Sequence, residues 1–140
     1  MVRVNLIDPK KLADQHLVAE YNELLMLLGH VKKYPSLDGI PKNYCLGEGH
    51  IKFFKNKLGY LEKRHGLIRR QMGRRGFVVR KAFDASGFGR EFRDSWKPVK
   101  RDFEIIKKRL VEKIRMKPEF YRYYGEKKGR GFFIGLIRKV

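Results

Sequence analysis

His16, Glu20 and Glu23 stand at i, i+4 and i+7, a spacing that puts all three on one face of a helix. A histidine and two carboxylates so placed can move protons. The same spacing also describes a polar stripe on a solvated helix face, and spacing alone leaves both readings open. Glu23 is flanked by Leu24 and Leu25. Partial burial there would raise its pKa and suit it to proton transfer. A second set lies in KPEFYRYYG, residues 117–125, where Phe120, Tyr121, Tyr123 and Tyr124 mix with Lys117 and Arg122. Aromatic faces stack on bases while cations hold phosphates; the same rings can also fill a core. A split is expected, with Phe120 or Tyr124 partly in the core and at least one ring exposed.

Other chemistries find little support. His16, His30, His50 and His65 show no ligand spacing, so no metal site is expected. Cys45 is the single cysteine, which rules out a disulfide within the chain and speaks against a cysteine-based zinc site. Gly47-Glu48-Gly49 could offer backbone N–H groups to a phosphate. No strand precedes it, so it fails as a dinucleotide motif, and no cofactor is expected.

The elements that must position these groups are helical. Asp8-Pro9 reads as the start of the first helix, which runs through a dense apolar series to Gly29 or on to Lys33. Residues 35–41 read as a loop. A second helical stretch runs from about Gly49 to Gln71, with Gly59 and Gly66 as places where it could divide or bend. Residues 73–99 read as an aromatic-anchored loop region with a short helical turn. A third helix spans about Asp102 to Met116, with Phe103, Ile106, Leu110 and Ile114 inward, and Lys117-Pro118 ends or kinks it. Strand alternation is absent. The expected fold is all-α: one compact domain over 1–140, three main helices with long functional loops, and a basic aromatic tail from about residue 117.

The charge narrows the partner. The 140 residues carry a net charge of +19. Residues 1–50 hold 6 basic and 6 acidic side chains, so the whole surplus lies in residues 51–140, 28 basic against 9 acidic. Such a surplus calls for a polyanion, and nucleic acid is favoured because neutralised phosphates release counterions. No apolar run is long enough to span a bilayer, and no signal-peptide pattern opens the chain. Phe132–Ile137 shows no clear amphipathic helix for a membrane surface. A cytoplasmic, nucleoid-associated monomer is expected.

LADQHLVAEYNEL, residues 12–24, resembles the first helix of the pyrimidine-dimer DNA glycosylases of the phage endonuclease V type. So do the leader Met1-Val2-Arg3-Val4-Asn5-Leu6 and LGEGHIKFFKNKLGYLEKR, residues 46–64. Shorter echoes occur at Arg75-Gly76-Phe77, Glu91-Phe92-Arg93 and KPEFYRYYG. The resemblance implies a glycosylase with abasic-site lyase activity on double-stranded DNA bearing ultraviolet pyrimidine dimers. Its nucleophile is the α-amine of residue 2, here Val2, after loss of Met1. Glu23 matches the essential carboxylate. Arg3, Lys33, Arg109 and Lys113 match phosphate-contacting positions, and Gln15 and His16 match polar residues lining the site. A hydrogen-bonded structural role is the alternative for His16. Tyr121, Tyr123 and Tyr124, with Arg122 among them, match the aromatic DNA-binding segment. Asn22 and Met26 depart from the family, which carries Arg at both positions. Phe120 replaces a Trp, and residues 126–140 form a different basic tail. The departures leave two alternatives: the same chemistry on another lesion, or a non-catalytic nucleic-acid-binding protein.

Overall fold

Asp8 accepts from the Lys10 N–H at 3.0 Å and caps a single 3-10 turn, Pro9–Lys11. The long helix expected from that point begins later, at Asp14. Leu12 and Ala13 are extended instead, and the Arg75 guanidinium braces the turn before them. It donates to the carbonyls of Leu12 at 2.7 Å and of Pro9 and Lys10 at 3.3 Å each. The Pro9 carbonyl also accepts from Leu12 N–H at 3.1 Å, which closes the 3-10 turn. The computed structural model describes residues 3–139, and it is mostly helical.

Five α-helices are present among the described residues, where three main helices were expected. Helix α1, Asp14–Lys33, runs straight through Gly29. A mid-helix glycine costs about 1 kcal/mol, and burial of Leu27, Leu28 and Val31 around it offsets that. The helix stops at Tyr34, the residue before Pro35, where helical backbone is disfavoured.

The stretch expected over 49–71 divides into α2, Gly49–Phe54, and α3, Leu58–Arg74. The division falls at Lys55–Lys57, not at Gly59 or Gly66. It leaves the Asn56 carbonyl free to accept from Asp94 N–H at 3.1 Å, and Tyr60 N–H free to donate to the Asp94 carbonyl at 3.2 Å. Gly59 has a different job: a Cβ there would stand 2.5 Å from the Arg93 carbonyl oxygen. That glycine admits the 93–94 backbone onto the start of α3.

Residues 77–99 wrap the core as a loop, with Phe83 and Ala85 buried and one 3-10 turn at Arg90–Phe92. Helix α4 spans Lys100–Met116, and the Asp102 carboxylate accepts from Val99 N–H at 2.9 Å across its first turn. Ile106, Leu110 and Ile114 face inward as expected, and Phe103 is half-buried.

The tail departs most from expectation. Strands β1, Arg122–Tyr123, and β2, Glu126–Lys127, pair antiparallel about a two-residue turn. Both turn residues have positive φ, Tyr124 at 53° and Gly125 at 77°, the conformation that suits a tight hairpin. Helix α5, Arg130–Arg138, then buries Phe133 and Ile137 and packs on α4. It is amphipathic after all. Gly131 and Gly135 weaken its sequence signal, and packing supplies the missing stability.

α1 packs on α3. At that seam Glu20 is fully buried and meets Arg64 through two hydrogen bonds, 2.8 and 3.0 Å. The remaining Arg64 amino group donates to the Ile7 carbonyl. No described helix is long and apolar enough to cross a membrane.

Candidate active site

Residues of α1 and α4 line a common cavity. It measures about 190 Å³ and is lined by Asn5, Gln15, His16, Ala19, Arg109, Lys113, Phe120 and Tyr121. Three chain segments far apart in sequence therefore build one wall set: the leader, the first half of α1, and α4 with the segment after it.

His16 forms the floor chemistry. Its ring tilts against Tyr121 at 4.8 Å between centroids. Burial, reinforced by the Arg109 and Lys113 charges, lowers its pKa to about 4. It is neutral near pH 7. Its Nδ1 is buried without a hydrogen-bond partner among the described residues, as is Oδ1 of Asn5. Asn5 is turned inward by a tight three-residue turn, closed by Ile7 N–H to the Asn5 carbonyl at 2.6 Å with Leu6 at φ 60°. That conformation is rare and strained for a branched side chain. The Asn5 oxygen can only accept, so it suits a donor on an occupant, while Arg109 and Lys113 in the cavity wall suit an anionic group.

Glu23 lies one turn beyond Ala19, about 6 Å along the helix axis. It is half-buried. Burial raises its pKa, while Arg3 and Arg109 pull in the opposite direction. Burial and the neighbouring Arg3 charge in turn lower the pKa of Arg109. One carboxylate thus shares its surroundings with two guanidinium groups. Glu20, the third member of the stripe, does not join them. It belongs to the buried seam with Arg64, so of the expected stripe only His16 and Glu23 remain unpaired with α3.

Arg3 is anchored by its Nε, which donates to the Leu46 carbonyl at 2.7 Å. Val2 lies outside the described residues. Lys33 is exposed at the far end of α1, about 26 Å from His16 by helical rise. It stands apart from the cavity, near the ring of Tyr34.

The aromatic segment is held by backbone contacts. The Gln15 amide donates to the Phe120 carbonyl at 3.1 Å and accepts from Arg122 N–H at 2.9 Å. Both ends of that side chain are engaged within the protein, so Gln15 holds the 120–122 segment while it lines the cavity. Asp14 accepts from Tyr124 N–H at 3.1 Å and Gly125 N–H at 2.8 Å. The Arg75 guanidinium meets Asp14 at 2.9 Å and lies 4.4 Å from the Tyr123 ring centroid.

The rings do split between core and surface, but the core ring is neither Phe120 nor Tyr124. Tyr121 is the buried one, at 6% exposure, whereas Phe120 and Tyr124 are 54% and 48% exposed. Tyr121 packs between His16 and Phe133, so it lines the cavity as a wall. Tyr123 is half-buried and its hydroxyl donates to the Lys10 carbonyl at 2.8 Å. The Arg122 side chain is exposed and reaches the Gly125 carbonyl at 3.3 Å. Asn5 and the Asp14–Arg75 pair carried no spacing signal in the sequence, because their partners lie tens of residues away.

Among the described residues no group of three or more His, Cys, Asp or Glu side chains could hold a metal ion. A family model described as pyrimidine dimer DNA glycosylase matches residues 1–85. That span holds the leader, α1, α2 and α3, and with them Glu23, His16 and Asn5.

Proposed function

This chain belongs to the pyrimidine dimer DNA glycosylase family, and from that premise we propose that it both excises a base and cleaves the strand through an imine on residue 2. Half-buried Glu23, its pKa raised and Arg3 and Arg109 beside it, is the observation that carries the reading. One peptide bond, about 3.8 Å between Cα atoms, separates Arg3 from residue 2.

Loss of Met1 exposes the α-amine of Val2. Such an amine has a pKa of about 7.7–8.0, against about 10.4 for a lysine. A useful fraction is neutral near pH 7. The amine attacks C1′ of the damaged nucleotide. The bond from C1′ to the base breaks, and the base leaves with the bonding electrons and takes up a proton. Loss of one amine proton and opening of the sugar, with the ring oxygen taking up a proton, give the imine in its protonated, cationic form. Removal of a C2′ proton then expels the 3′ phosphate with the C3′–O electrons. A carboxylate of raised pKa is the stronger base for these transfers. Glu23 also balances the cationic imine. Arg3, Arg109 and Lys113 hold phosphate near the cavity. Lys33, about 26 Å along α1, meets phosphate away from the cavity. Phe120, Tyr124 and Arg122 meet the DNA from the rim, Tyr123 braces them, and Tyr121 backs the cavity.

A second reading concerns the lesion alone. Asn22 turns its amide back to the Val18 carbonyl at 3.1 Å, and Met26 is 69% exposed. Neither offers a cation to the strand, which favours a lesion other than the dimer. Borohydride trapping on two duplexes decides. An adduct at Val2 on both a thymine-dimer and an abasic duplex is expected. An adduct on the abasic duplex alone moves the base substrate elsewhere. No adduct on either, with Met1 shown to be absent, overturns the imine.

A further inference from the structure

The proposed chemistry makes no use of His50, yet His50 is buried and fully engaged at the leader. Val4 N–H donates to its Nε2 at 3.0 Å. A peptide N–H only donates, so Nε2 must be the bare nitrogen. Nδ1 then carries the proton and donates to the Cys45 carbonyl at 2.8 Å. One tautomer fits. On the other side of the same residue, Tyr44 donates its hydroxyl to the Val4 carbonyl at 2.9 Å. Arg3 reaches the Leu46 carbonyl. Residues 3 and 4 are therefore held at three points by residues 44–50, in a place where Val4 has no strand to pair with.

The surroundings keep the ring in this state. The Tyr44 and Phe54 rings pack edge-on to it at 5.5 and 5.4 Å. The charges that act on it are Arg3 and Arg109. Burial lowers its pKa to about 4 against the Cys45 hydrogen bond, and the two arginines add to the lowering. The acceptor persists across the working range of an amine nucleophile.

We propose that His50 is a positioning residue for the nucleophile: it fixes the Val4 peptide, the anchor behind the amine two residues upstream. This rests on the N-terminal amine reading above. A nucleophile carried on a chain terminus has no side-chain rotamer to fix it. Its placement must come from the backbone behind it, and misplacement by about 1 Å can cost about 100-fold in rate.

The test compares His50→Asn with His50→Gln in the full chain, with loss of Met1 verified by mass. An Asn carboxamide reaches the Nδ1 position and can keep the Cys45 contact, but falls short of Val4. A Gln carboxamide reaches the Nε2 position and can accept from Val4. Single-turnover borohydride trapping on an abasic duplex is followed at saturating DNA from pH 6 to 9. Duplex affinity and thermal stability are measured alongside.

His50→Asn is expected to slow trapping about 10–100-fold, with duplex affinity retained and the midpoint of the pH profile unmoved. His50→Gln is expected to recover most of the rate. Wild-type trapping by His50→Asn overturns the proposal and leaves the amine reading standing. A Gln variant as slow as the Asn variant, with both folded, also overturns it. If His50→Asn does not fold, Tyr44→Phe removes one hold on Val4. A smaller slowing is then expected, and the wild-type rate overturns the proposal. A wild-type protein that gives no adduct at residue 2 takes down the amine reading and this proposal together.

Discussion

Glu20 and Glu23 lie three residues apart on α1 and meet opposite fates. At the α3 seam, Glu20 is fully buried and each carboxylate oxygen is matched by Arg64. At the α4 edge, Glu23 is half-buried, its pKa raised by burial and drawn back by two arginines. A matched pair has little left to offer a substrate. A carboxyl with an upward-shifted pKa and shared cations retains capacity for proton transfer. The difference lies in how completely each is satisfied, not in residue type.

The sharpest way to break this comparison is to neutralise each carboxylate in turn. Glu23→Gln is expected to cut strand cleavage by about 10²–10⁴-fold, with duplex affinity and melting temperature close to wild type. Trapping kinetics together with a thermal scan check this. Glu20→Ala should behave the other way round. It leaves the Arg64 charge buried and unpaired, which costs about 3–5 kcal/mol of stability, measurable by urea denaturation. Surviving protein should keep its trapping rate per folded molecule. If Glu23→Gln instead unfolds the protein while Glu20→Ala abolishes turnover alone, the two assignments are exchanged.

Acid sharpens the contrast further. His16 and His50 each have a pKa of about 4 in the fold against 6.5 outside it. The unfolded chain binds protons first as pH falls. Stability is therefore full above about 6.5 and declines towards 4, by at most about 1.4 kcal/mol per pH unit per ring. Glu23 works with the opposite sign, since its raised pKa makes the charged form the costly one. Melting temperature followed from pH 7 to 4 should fall, and less steeply in His50→Gln. A flat profile would mean that neither ring stays neutral in the fold.

The smallest effect expected is at the hairpin. Asp14→Asn removes the charge that meets Arg75 and weakens the hold on Tyr124 and Gly125 N–H. About 1–3 kcal/mol should be lost. Duplex affinity should fall while trapping at saturating DNA stays near wild type, because the aromatic rim loosens and Glu23 does not move. An unchanged affinity would separate the hairpin from DNA binding.

Local periodicity made α1 and α4 legible, because their apolar positions recur every three or four residues and packing agrees with the pattern. It also put His16 and Glu23 on one edge. It could not turn Glu20 inward, since that depends on Arg64, 44 residues away. The break between α2 and α3 was misjudged for a similar reason. The glycines looked like the weak points, but the 93–94 backbone decides where the ladder opens. The hairpin and α5 were missed because Tyr124-Gly125 and the glycines of α5 give weak local signals, and their stability comes from Asp14, Arg75 and α4. Tyr121 resembles its neighbours by type; only the contact with His16 and Phe133 buries it.

The hydrogen bonds from Asp14 and Gln15 to residues 120–125 span more than 100 positions of sequence. Closing so large a loop is slow, because the entropy must be spent before the contacts form. The cavity needs the same closure, since Arg109, Lys113, Phe120 and Tyr121 supply half its walls. A nascent chain that has already made α1, α2 and α3 therefore carries Glu23 with half of the cavity walls missing, and the proposed chemistry is expected only after residues 109–121 have emerged and docked.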